Sequence, residues 1–130
     1  MNTMSVNVAT VRSAASVAGA RESARNFLAG LGRPQIAADA AETVILVVSE
    51  LVTNALRHGG GICTLDLTAN SDSIEVAVHD GSSEAPYMRT PDLSDGTGGF
   101  GWHMVSSLAR TTAVTQRPAG GKTVCALLNR

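Results

Sequence analysis

Apolar residues along this chain change their spacing from threes and fours to twos and back again, and those changes predict its elements. Across residues 16–31, Val17, Ala20, Ala24, Phe27, Leu28 and Leu31 recur at helical intervals, and Gly32 and Pro34 then end the stripe. Asp39 followed by Glu42 resembles a capping box, in which the Asp accepts from first-turn amides while the Glu reaches back to the cap. A second helix is expected from there to His58, stopped by Gly59, Gly60 and Gly61. Residues 62–69 and 73–80 alternate instead: Cys63, Leu65 and Leu67 share one face, as do Ile74, Val76 and Val78, and Asn70, Ser71 and Asp72 supply the turn of a hairpin. Residues 81–98 carry Gly, Ser, Pro and Asp with little apolar period, a long loop of the kind that is often functional in a compact domain. A third helix over about residues 99–109 puts Trp102, Val105 and Leu108 or Ala109 on one side. Residues 111–116 and 123–128 flank a turn at 118–121 as a second hairpin, and residues 6–11 read as a short, weakly patterned strand. Helices and strands in this order predict an α/β two-layer sandwich, with a mixed, mostly antiparallel sheet covered by helices on one face.

Length and charge narrow what such a sandwich does. With 130 residues the chain is expected to form one domain, residues 1–130, with one core and no need of metals or disulfides. Its formal net charge is -1 and no run of Lys or Arg stands out, so the basic footprint of direct nucleic-acid binding is missing. The longest apolar run, residues 44–48, falls far short of the roughly 20 residues a bilayer-spanning helix needs. The N-terminus lacks a basic segment followed by an apolar one, so the chain is read as cytoplasmic with no membrane contact. Cys63 and Cys125 lie in apolar, strand-like surroundings that suit small buried hydrophobes better than a disulfide. His58, His79 and His103 have no metal-ligand spacing.

Against that plain background three features stand out. The second helix is apolar nearly all the way round, so it should be buried, yet Glu50 and Asn54 sit in its middle, one turn apart on one stripe. Glu50 pairing with Arg57 on an exposed edge, with Asn54 bonded to a neighbouring backbone, is the simpler reading. A site holding a cation and water is the sharper one, because an unpartnered buried carboxylate is costly. Asp80 follows the alternation of Ile74, Val76 and Val78 and so points toward the core side, where it wants a specific donor. An exocyclic amine such as that of adenine would serve; alternatively Asp80 merely opens a turn with Gly81. Finally Gly96, Thr97, Gly98, Gly99, Phe100 and Gly101 feed into the third helix, where free amides and close backbone approach suit phosphate. The spacing fits G-x-G-x-x-G, but no strand leads directly into it and Ala119, Gly120 and Gly121 stand where a ribose-binding acid belongs. Gly121, Lys122 and Thr123 are not a P-loop either, since Gln116 occupies the place of its first glycine. Thr123 shares parity with Cys125 and Leu127, which would turn its hydroxyl inward, while Val124, Ala126 and Leu128 leave the opposite parity open.

Taken together, these motifs resemble the GHKL ATPases. Glu50-Leu-Val-Thr-Asn54-Ala-Leu-Arg-His58 looks like their N box, Asp80-Gly81 with Ser82 like their G1 box, and Gly98-Gly99-Phe100-Gly101 like their G2 box, over residues 38–127. Gly81 and Ser82 do not reproduce the fuller D-x-G-x-G form, and Phe100 and Trp102 are bulkier than the residues common in the G2 box. The resemblance implies the Bergerat ATP-binding fold, with ATP between the helices and a flexible lid at residues 82–97. By its brevity the chain is similar to the anti-sigma-factor serine kinases. The same resemblance implies that Asn54 ligates Mg2+, Glu50 acts as general base, and Asp80 accepts from the adenine amino group with Thr123 assisting. Gly98, Gly99 and Gly101 would close over the phosphates. Arg57 and His58 would approach the phosphates, or else only complement the dipole at the helix end. The expected function is a serine/threonine kinase that binds a sigma factor and phosphorylates an anti-anti-sigma partner of the STAS type, with a homodimer left open. Alternatives are a non-catalytic, nucleotide-dependent interaction module and, less suited to so short a chain, an ATPase driving a conformational cycle.

Overall fold

The structure is a computed structural model and describes residues 4–11, 16–32, 35–58, 61–82 and 101–130. Strand β1 (Met4–Val11) leads into helix α1 (Val17–Ala29) and helix α2 (Ala38–His58). Strands β2 (Cys63–Ala69) and β3 (Ser73–Asp80) follow, then helix α3 (Gly101–Leu108) and strands β4 (Thr111–Gln116) and β5 (Lys122–Asn129). The weakly patterned N-terminal segment is thus a full edge strand, with a register shift between Asn7 and Ala9. Asp39 lies inside the first turn of α2 rather than capping it; there its carbonyl accepts from the Thr43 hydroxyl at 3.0 Å.

The five strands stand in the order β1-β2-β3-β5-β4. Among the described residues every pairing is antiparallel, with no parallel step of the kind a mixed sheet would have. Alternation then sorts the side chains. Cys63, Leu65, Leu67, Ile74, Val76, Val78, Val124, Ala126 and Leu128 form the inner face and are buried with the helices. Helix α2 packs on β2, β3 and β5 through Val44, Val47, Val48, Leu51 and Val52. Helix α1 lies against α2 and β1, and α3 against α2, β4 and β5. Only one side of α2 faces the core, however. Leu46 is 41% exposed, and Glu50, Thr53 and Asn54 are half-buried beside it. The helix that reads as apolar all round therefore keeps an open stripe, and the N-box side chains lie on it.

Candidate functional site

Glu50 and Gly101 come together because α3 begins against α2. A β-carbon on Gly101 would meet the Glu50 carboxylate, its Cδ 3.4 Å away, and would push that side chain aside, so glycine here lets the carboxylate rest against the start of α3. Among the described residues Glu50 makes no hydrogen bond or ion pair, and the Arg57 pairing considered from sequence is not formed. A half-buried carboxylate without a partner, facing the first turn of a glycine-led helix, is free to act on a bound group. Asn54 follows one turn on, half-buried on the same stripe. Arg57 and His58 close α2 as exposed basic residues of its last turn. Gly98, Gly99 and Phe100 lie outside the described residues.

Asp80 does more than open a turn. It pairs in register with Cys63 on one side and Lys122 on the other, and is 4% exposed. Its Oδ1 accepts from the Ser82 amide at 2.9 Å, so the turn through Gly81 is tied to the same carboxylate. The donor it finds is Lys122, whose Nζ lies 3.1 Å from Oδ1 and 3.0 Å from Oδ2. The approach is set by Gly121, at φ 84°, where a β-carbon would strike the Asp80 carbonyl. Beside the pair, the Cys63 thiol is pushed up to about 11 by burial, with the Asp80 charge adding to it.

Thr123 corrects the sequence expectation. Lys122 takes the inward parity with Val124, Ala126 and Leu128, which turns Thr123 to the open face of the sheet, away from Asp80. There its hydroxyl lies 2.7 Å from His79 Nδ1, and His79 Nε2 lies 2.7 Å from Asp66 Oδ2. The Nε2–H tautomer donates to Asp66 and lets Nδ1 accept from Thr123. Lys122 was the residue missed from sequence. Its signal, an inward-facing lysine, becomes visible only once the pairing with β3 sets the strand's parity. Cys63 and Cys125 are free thiols on opposite faces, consistent with the reading against a disulfide.

The two-layer α/β sandwich thus carries an unpaired acid on its covering helix, a glycine-led helix against it and a buried acid at the end of a central strand. The chain matches the histidine kinase-like ATPase domain family over residues 10–127, and it belongs to that family. Among solved structures it is similar to the RsbU and RsbW domains of Rv1364c from Mycobacterium tuberculosis, with a TM-score of 0.62 and 16% identity. That match covers 100% of this chain and 33% of the other, a likeness of fold. No curated protein sequence matches it. No helix among the described residues is long and apolar enough to cross a membrane.

Proposed function

We propose that this domain binds ATP with Mg2+ and transfers phosphate to a serine or threonine of a partner protein, as an anti-sigma-factor kinase does. The observation that carries this is the unpartnered Glu50 carboxylate against Gly101: it places a candidate base at the start of the glycine-led helix. When bound, ATP supplies the phosphoryl group, and phosphoryl transfer asks little of the protein beyond positioning and charge. Asn54 holds Mg2+, and Asp80 reads the base. Glu50 takes the proton from the attacking hydroxyl. Gly98, Gly99 and Gly101 supply amides to the phosphates, an assignment that rests on the sequence motif. A sigma factor and a STAS-type anti-anti-sigma protein are the partners this reading implies. The fold shared with a structure containing an RsbW domain supports it, as does family membership.

The test pairs calorimetry with single-turnover phosphorylation of candidate anti-anti-sigma proteins. Asn54→Ala is expected to abolish Mg2+-dependent ATP binding. Glu50→Ala is expected to keep ATP and lose about a hundred- to ten-thousand-fold in transfer rate, because a base acts chiefly as the hydroxyl proton leaves. A wild-type rate in Glu50→Ala would remove Glu50 from the chemistry. A wild-type protein that binds ATP but transfers nothing to any partner would instead be a nucleotide-dependent interaction module.

A further inference from the structure

The buried pair at the end of β3 has more hydrogen-bonding capacity than it uses. The Lys122 and Asp80 side chains are 5% and 2% exposed. An ammonium has three donors. Among the described residues only the Asp80 carboxylate accepts from this one, which engages two of the three at most. On the carboxylate, Oδ1 accepts from both the Ser82 amide and Lys122, while Oδ2 accepts from Lys122 alone. One acceptor site on Oδ2 and one N–H of Nζ therefore remain, on atoms 3.0 Å apart. Stability alone is a poor explanation for such a pair, since apolar residues in place of a buried ion pair are often neutral or better. Its position is also built in. Gly121 holds a conformation that brings the chain against the Asp80 carbonyl and fixes Lys122 opposite the carboxylate.

A single acceptor beside a single donor is the complement of adenine's Watson–Crick edge, where the N6 amino group donates and N1 accepts. Guanine would offer O6 to the lysine and N1–H to Oδ2, but its neighbouring N2 amino group would then need a second carboxylate acceptor. Oδ1 is already filled. We infer that Lys122 is a second base-reading residue, whose Nζ donates to adenine N1 while Asp80 Oδ2 accepts from N6. The inference rests on the proposed ATP site and adds its specificity. A lysine here makes adenine recognition depend on N1, which Asp80 alone does not do.

Calorimetry on the whole chain with Mg2+ and ATP, 1-deaza-ATP (CH in place of N1) or GTP tests this without any variant. The wild type is expected to bind 1-deaza-ATP roughly ten- to a hundred-fold more weakly than ATP, the worth of a hydrogen bond to a charged donor, and GTP more weakly than ATP. Lys122→Met, checked for folding by circular dichroism, is expected to bind ATP and 1-deaza-ATP alike, and Lys122→Arg to restore part of the difference. ATP and 1-deaza-ATP binding wild type within about twofold would overturn the role of Lys122 and leave the ATP site standing. Tighter ATP binding by Lys122→Met would make the lysine a competitor for Asp80 instead, and preference for GTP would overturn the adenine assignment. If wild type binds no nucleotide, the ATP site itself fails and the inference falls with it.

Discussion

His79 and Asp80 are consecutive residues of one strand, and each holds a partner of complementary chemistry on β5, yet the two faces of the sheet give those pairs different standing. On the inner face Asp80 and Lys122 are almost wholly removed from water. On the outer face His79 and Asp66 keep 26% and 32% of their side-chain surface, and Thr123 completes the chain of bonds. The bonds are shorter outside, 2.7 Å against 3.0 Å and 3.1 Å inside. Distance is therefore a poor guide to consequence here. Burial decides, because a buried charge that loses its partner has no water to replace it, whereas an outer one does.

The largest effect expected from this contrast is on the inner pair. Lys122→Met leaves Asp80 buried without its counter-ion and is expected to lower stability by about 3 to 5 kcal/mol, the usual consequence of breaking a buried pair from one side. Combining it with Asp80→Leu is expected to recover most of that loss, since neither charge is then stranded. Urea unfolding of the single and double variants at constant slope reads both numbers. A single variant as mild as an outer-face substitution would mean that water reaches Asp80.

Much of this arrangement was legible in the sequence, for reasons that particular residues make plain. Cys63, Leu65, Leu67, Ile74, Val76 and Val78 alternate without interruption, so hairpin, register and the inward turn of Asp80 followed from a period of two. In β5 every residue from Val124 to Leu128 is apolar, so its parity was not legible, and Thr123 and Lys122 could not be assigned to faces until β3 fixed the register. The approach of Gly101 to Glu50 was beyond sequence reasoning too, because it depends on how two helices cross. Similarly, α2 reads as buried all round, but among the described residues the sheet, α1 and α3 leave the Leu46, Glu50 and Asn54 stripe partly uncovered.

The two cysteines sharpen the comparison at intermediate size. Burial is the first cause of the upward push on both thiols, helped by Asp80 at Cys63 and by Glu75 at Cys125. The folded state keeps the Cys63 proton up to about 11, while an unfolded chain releases it near 9.0. Between those values the folded state binds more protons, so stability is intact below pH 9 and falls as pH rises toward 11. At about 1.4 kcal/mol per unit of pH the loss approaches about 2 to 3 kcal/mol. Unfolding measured between pH 8 and 11 is expected to slope downward in wild type and less steeply in Cys63→Ala, with Cys125→Ala lying closer to wild type. Equal slopes in all three would show that the thiol is not protected by the inner face.

The smallest effect belongs to the outer face, and it tests the placement of Thr123 as well. Thr123→Val keeps the β-branched shape that suits a strand and removes only the hydroxyl that meets His79. Water has access to this chain of bonds, so the expected loss is about 0.5 to 1 kcal/mol, similar to that for Asp66→Asn. Because both substitutions act on one imidazole, their effects should not add, and a double-mutant cycle is expected to show coupling of a few tenths of a kcal/mol or more. Nucleotide affinity is where the faces part. Thr123 lies across the sheet from Asp80, so Thr123→Val is expected to bind ATP as wild type does, while Asp80→Asn loses roughly ten- to a hundred-fold because an amide sets a donor against the adenine amino group. A tenfold loss in Thr123→Val would carry the threonine back into the base site and mean that β5 presents the other parity when nucleotide is bound.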